Sequence, residues 1–196
     1  SIRRQRQMCI RYRSMPLEEL QEKIGCFYPA TTRTKQAILF TILTASRVGE
    51  SVPARWDEID WENRIWSVPP ERRKDQKPYP HRVPLSDQAI ELLKSIEKKG
   101  DHIFGVSEES LGSRYTLTKL LKRLTGTTAT MHGFRSTFRD WAAENGVPDI
   151  VAEKCLMHTT GNAVVQAYQR SDLLEQRREV MQQWADAVFS EVSSAA

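Results

Sequence analysis

Apolar and polar positions follow two different periods along this chain. Pro16 to Gly25 predicts a short helix, with Pro and Glu at its start and Gly as its stop. Thr32 to Thr44 carries Ala37, Ile38, Phe40, Ile42 and Leu43, is apolar on nearly all sides, and predicts a buried helix. Ser46 to Ser51 is a polar turn between buried helices, and it holds an arginine, Arg47, that a bland loop would not need. The period then falls to two. Trp56–Trp61, Arg64–Pro69 and His81–Leu85 alternate apolar with polar, with a Glu62-Asn63 turn between the first two and the basic segment Glu71–Pro80 as a long second hairpin. Together they predict a small antiparallel three-stranded sheet. From Ser86-Asp87, which can cap a helix, Ala89, Ile90, Leu92, Leu93 and Ile96 mark one helical face as far as Gly100. Further helices are predicted over Arg114–Leu124, His132–Asn145 and Pro148–Leu156, and a long amphipathic one over Leu173–Val192. The fold class is mainly α with one small three-stranded antiparallel sheet, an α+β arrangement without internal repeats.

Composition narrows the function classes. Of 196 residues, 39% are hydrophobic and 28% charged, with Gly 9 and Pro 9, which excludes collagen-like, low-complexity and disordered chains. No apolar run approaches the roughly 20 residues that span a bilayer, and no apolar stretch follows the basic start, so neither a membrane partner nor a secretory signal is expected. The expected location is the cytoplasm. Cys9, Cys26 and Cys155 are odd in number and contain no CxxC pair, and the four histidines lack metal-ligand spacing apart from His158 after Cys155; no metal is assigned.

The net charge of +4 permits a nucleic-acid partner without requiring one, and the distribution says more. Arg3, Arg4, Arg6, Arg11 and Arg13 crowd the start, while Arg72, Arg73, Lys74, Lys77, His81 and Arg82 cluster around the long hairpin. Either cluster alone also reads as a solvated face. His132 and Arg135 stand three apart where a helix opens, so they share a face near backbone N–H groups that favour an anion. Taken singly, each candidate has a plain structural reading. His132 would cap, Arg135 would be solvated, Arg47 would pair with Glu50, and Tyr168 would pack.

The combination resembles the catalytic domain of the tyrosine recombinases, the phage-type integrases, and most of all prophage and genomic-island integrases. The matching stretches are Thr44-Ala45-Ser46-Arg47-Val48-Gly49-Glu50, His81-Arg82-Val83-Pro84-Leu85-Ser86, Met131-His132-Gly133-Phe134-Arg135 through Trp141, Leu156-Met157-His158, and Ala167-Tyr168-Gln169-Arg170-Ser171-Asp172. They stand in family order and span the chain from about Thr32 to the final helix. The resemblance implies that Arg47 is the first catalytic arginine, Lys74 the lysine of the β-hairpin, and His132 with Arg135 the HxxR box. It makes His158 the second histidine and Tyr168 the nucleophile. Arg72, Arg73, Lys77 and Arg82 are expected DNA contacts. Two features depart from the family. Ala45 replaces a usual glycine, and the hairpin is slightly long, so Lys77 is the alternative to Lys74.

What the resemblance implies is a site-specific recombinase domain that cuts and rejoins duplex DNA at attachment sites through a covalent 3′-phosphotyrosyl link. Such an enzyme would integrate or excise a prophage or genomic island. It needs no cofactor, acts as a homotetramer on DNA, and works with directionality or DNA-bending accessory proteins. The absence of a GxxxxGK[ST] loop and of a tight carboxylate cluster agrees. Residues 1–15 resemble the basic linker from an N-terminal core-binding domain, and 16–196 the catalytic domain. Along the last helix, Leu173, Met181, Trp184 and Val188 suit either docking on a neighbouring protomer or packing within the chain. A type IB topoisomerase, with similar chemistry, and a DNA-binding module that has lost the chemistry remain open at this point.

Overall fold

The computed structural model of the chain describes residues 14–75, 77–105, 114–158 and 171–193. Helix α1 (Leu17–Lys23) follows Pro16 and runs into a 3₁₀ turn, Ile24–Cys26, so the predicted stop at Gly25 is a tightening of the helix rather than its end. Helix α2 (Arg33–Leu43) is capped by Thr32, whose hydroxyl accepts from the Lys35 amide at 3.3 Å. Every residue from Gln36 to Leu43 is buried, which makes α2 the axis of the core. The polar turn expected after it is a short helix, α3 (Val48–Ser51), with Arg47 at its N-cap.

The sheet forms as predicted, in the order β1-β2-β3 and antiparallel throughout. Strand β1 is only Ile59–Asp60, β2 is Ile65–Val68 and β3 is His81–Pro84. Register places Trp66 opposite Val83 and Val68 opposite His81. The predicted first strand loses Trp56–Glu58 to a 3₁₀ turn, because the Glu58 carboxylate is held by the Arg55 amide, the Trp66 indole N–H and the Arg72 guanidinium. At the tip, Asp60 accepts from the backbone and side-chain N–H groups of Asn63, which closes the turn.

Helix α4 (Asp87–Lys94) is capped by the Ser86 hydroxyl and ends six residues before Gly100. Helices α5 (Arg114–Thr125), α6 (Gly133–Glu144) and α7 (Asp149–Cys155) follow. Gly146, at φ 69°, ends α6 in a Schellman turn, with the Val147 amide on the Ala142 carbonyl. The last helix, α8 (Leu174–Ser193), packs on α1, α2, α4, α7 and β3. Met181, Trp184 and Val188 are fully buried, and the Trp184 indole donates to the Ile42 carbonyl at 2.9 Å. Trp184 also stacks edgewise on Phe138 and leans on Trp141. Docking of these side chains on a neighbour is therefore excluded, since they complete the chain's own core; replacing a tryptophan so buried typically costs about 3–5 kcal/mol. No helix among the described residues is long and apolar enough to cross a membrane.

Candidate active site

Two helix C-termini meet the start of α6. Helix α2 ends with Ala45 at φ 46°, its amide on the Ile42 carbonyl. Helix α7 ends in a Schellman turn in which Met157 takes φ 50°, the His158 amide bonds the Glu153 carbonyl at 2.9 Å, and the Met157 amide bonds Lys154 at 3.3 Å. Both turns aim carbonyls at one point. Arg135, on the first turn of α6 and only 3% exposed, fills it: Nη1 donates to the Ala45 carbonyl at 2.6 Å, and Nη2 to the Leu156 carbonyl. Helix C-termini carry partial negative charge, so they stabilise a buried cation that has no carboxylate in direct contact. Burial first, then the charge of Arg47, pulls the Arg135 guanidinium down to about 10, which still leaves it charged at neutral pH. Its Nε–H has no hydrogen-bond partner among the described residues.

Arg47 stands beside it. Its amide and Nη1 both reach the Glu50 carboxylate, at 3.0 and 2.9 Å, and Nη2 lies 3.5 Å from the Met157 carbonyl. The Arg47–Glu50 ion pair read from the sequence therefore exists, and it orients the arginine toward the same carbonyl cluster. His158 Nε2 lies 3.0 Å from Arg135 Nη2. His132 occupies the N-cap of α6 but makes no side-chain cap hydrogen bond, contrary to the plain reading of a capping histidine. Burial, followed by Arg135, Arg47, Lys74 and His158, holds its imidazole below the ordinary range, so the ring is neutral at neutral pH. That field also brings Lys74, exposed on the hairpin, within electrostatic reach of the cluster.

The basic residues of the hairpin differ in how they are engaged within the chain. Arg72 is tied to Glu58 and the Pro53 carbonyl. Arg73 is buried: it grips both oxygens of Asp75 at 2.8 and 2.7 Å, donates to the Tyr79 carbonyl, and lies 5.0 Å from the centre of the Tyr79 ring. Both arginines are engaged in contacts within the chain. Arg82 is exposed but holds Asp172 through Nε and Nη2 at 2.9 and 2.5 Å, while Lys77 is half-buried. Tyr168 lies outside the described residues. Among the described residues, no group of three His, Cys, Asp or Glu side chains is arranged to hold a metal ion.

Sequence reasoning missed Glu153 and Arg139. Glu153 Oε2 is 2.8 Å from His158 Nδ1, and its other oxygen is 3.2 Å from Arg139 Nε. A five-residue spacing is no helical neighbour pair; the contact exists because Met157 turns the chain back. The available signal was Arg139 itself, one helical turn beyond Arg135.

A family model described as the phage integrase family matches residues 17–175. The chain is 38% identical over 161 residues to prophage integrase IntA of Escherichia coli K12, covering 79% of this chain and 38% of that protein. It is 30% identical over 201 residues to the integrase of Enterobacteria phage P4, covering 89% of this chain and 45% of that one. The chain thus spans less than half the length of either relative. Among solved structures, the integrase from mycobacterium phage Brujita superposes with TM-score 0.65 at 17% identity, covering 88% of this chain and 61% of that chain. A lambda integrase dimer bound to a COC′ core site superposes with TM-score 0.56 at 17% identity, covering 75% and 57%. The fold is that of a tyrosine recombinase catalytic domain, and on the extent of the family match the chain belongs to the phage integrase family.

Proposed function

We propose that residues 16–196 are the catalytic domain of a site-specific recombinase that cleaves and rejoins duplex DNA through a 3′-phosphotyrosyl intermediate on Tyr168. Residues 1–15 are then the linker from a core-binding domain. The observation that carries this reading is the convergence of Arg135, Arg47 and His158 at two helix C-termini, with the Arg135 cation held by carbonyls rather than by an acid. Two like-charged guanidinium groups side by side repel, and a bound phosphodiester relieves that repulsion. Their planar forks suit the non-bridging oxygens, whose charge grows as the phosphorus becomes five-coordinate.

The reaction follows as an exchange of esters. A free phenol ionises only near pH 10, so the Tyr168 phenol passes its proton to neutral His132 as its oxygen bonds phosphorus. The bond from phosphorus to the 5′ oxygen breaks, and Lys74 supplies the proton that leaves with it as a 5′ hydroxyl. His158 donates to a non-bridging oxygen. One phosphodiester is exchanged for one phosphotyrosyl ester, so no external energy source and no cofactor enters the balance. Attack by the 5′ hydroxyl of a second strand reverses the steps and joins the new partner.

In this reading the duplex attachment sites belong to a prophage or genomic island in a bacterial cytoplasm. Four protomers assemble on them, with accessory proteins setting direction. The lambda structure's core site supports DNA as the partner class. Arg135→Ala removes one donor from the transition state, worth about 3 kcal/mol, so cleavage of a nicked attachment-site duplex should slow at least about a hundredfold while DNA binding changes little. A rate within threefold of wild type would remove Arg135 from the phosphate.

A further inference from the structure

We propose that Glu153, held in place by Arg139, is a positioning residue for His158, and that it compels this imidazole to become an imidazolium when it serves the phosphate. The proposal rests on the recombinase reading for its consequence, and on hydrogen-bond chemistry for its geometry. A guanidinium only donates and a carboxylate only accepts. With Arg135 Nη2 3.0 Å from Nε2, and Glu153 Oε2 2.8 Å from Nδ1, the neutral ring has one tautomer that satisfies both: proton on Nδ1, lone pair on Nε2. In that state Nε2 accepts from Arg135 and has nothing to donate.

A phosphate oxygen reaching Nε2 needs a donor there. The other neutral tautomer would turn the Nδ1 lone pair onto the Glu153 carboxylate, which is repulsive, so the ring must take up a second proton and keep both N–H bonds. Glu153 stabilises that imidazolium as an ion pair. Its own position is fixed from behind: Arg139 Nε reaches Oε1 at 3.2 Å, and Arg139 Nη2 reaches Asp149 at 3.0 Å. Arg139 lies four residues after Arg135, so one face of α6 supplies the cation at the phosphate and the cation behind its histidine. The backbone contributes as well, because the Schellman turn at Met157 sets the His158 amide on the Glu153 carbonyl and brings the ring under the carboxylate.

The charges facing His158 are Arg135 and His132 from α6, Arg47 from the start of α3, and Glu153 from α7. Burial and the two arginines push the imidazole below its ordinary range, and Glu153 alone opposes them. When a phosphate neutralises Arg47 and Arg135, the opposition of Glu153 remains and the ring gains its proton. His158 thus reads phosphate occupancy as a protonation change.

Long-range ¹H–¹⁵N spectra of the whole chain test this without requiring activity. Wild type at alkaline pH should show His158 protonated on Nδ1. Glu153→Ala, in which Arg135 still donates to Nε2, should keep the Nδ1 proton but lower the His158 midpoint by about one pH unit, leaving about tenfold less imidazolium above it. Glu153→Gln, which keeps an acceptor and the side-chain volume, should retain the Nδ1 proton yet still lower the midpoint. Single-turnover cleavage of the nicked duplex should lose its alkaline limb at correspondingly lower pH in both variants, with DNA affinity unchanged. A His158 midpoint unchanged in both variants overturns the proposal. A wild-type chain that shows the expected titration but forms no adduct overturns the recombinase reading instead, and with it the catalytic consequence.

Discussion

Arg135 carries its charge into the interior without a direct acid partner, and Ala45 supplies one of the two carbonyls that hold it. Ala45 sits at φ 46°, a left-handed conformation that costs an L-residue roughly 1–2 kcal/mol and a glycine nothing. Its carbonyl is the acceptor for Arg135 Nη1, so the strained turn is what points it at the guanidinium. Ala45→Gly relieves the strain but loosens the unfolded chain and removes a buried methyl, terms of about 1 kcal/mol each, and should leave stability within about 1 kcal/mol of wild type. Ala45→Val, β-branched in the same conformation, should cost more than about 2 kcal/mol in urea unfolding. Equal effects would show that the turn is not strained at this residue. The sequence motif around Arg47 was legible. The carbonyl it presents was not, since a backbone acceptor leaves no side-chain signature.

Helix ends rather than helix faces build this site. Helices α2 and α7 supply the carbonyls, and the first turn of α6 supplies the arginine. Their existence was readable from apolar spacing, because α2 and α6 bury whole faces. Their ends were readable to within one residue as well, at Thr44 and Leu156; what no residue type announced was the left-handed turn after each, which falls on Ala45 and Met157 instead of glycine. The first strand misled for the opposite reason: its alternation was real, but the carboxylate of Glu58 found three donors and drew the chain into a turn.

The junction of β3 and α8 carries its own consequence. His81 is buried against Arg177, which lies 3.4 Å from its Nε2 and also donates to the Arg82 and Asp172 carbonyls. Burial, then Arg177, Arg73, Arg135 and Arg47, hold the His81 imidazole well below its ordinary range. In the unfolded chain the same ring protonates near pH 6.5, so stability from neutral His81 is complete above that pH and is lost as pH falls below it. Urea midpoints should therefore drop between pH 7 and pH 5, with a contribution of up to about 1.4 kcal/mol per pH unit from this single proton. His81→Gln should flatten the slope by about one proton. An unchanged slope would place the proton elsewhere, on His132 or His158, whose rings are lowered in the same direction.

At the scale of the whole molecule, the net charge of +4 says little, because several of its arginines make contacts within the chain. Arg73 shapes the hairpin around Asp75 and Tyr79, and Arg177, which the sequence left among ordinary helix residues, is more deeply buried than any histidine. A charge run does not reveal which members fold inward. The final helix was legible as amphipathic, yet only its packing against Ile42, Phe138 and Trp141 decides that its apolar face serves this chain and not a neighbour. What the order of motifs did convey was the convergence of Arg47, Arg135 and His158, three residues more than 100 positions apart at their extremes, now held by hydrogen bonds to a shared set of helix ends.

The central claim is tested most directly by incubating the chain with a nicked duplex that carries the junction sequence of its genetic element, in EDTA, and mapping any DNA-linked peptide by mass spectrometry. A denaturant-stable adduct on the peptide containing Tyr168, absent in Tyr168→Phe although that variant still binds the duplex, is the predicted result. An adduct that survives in Tyr168→Phe, or bound DNA that is never cleaved by wild type, would contradict it.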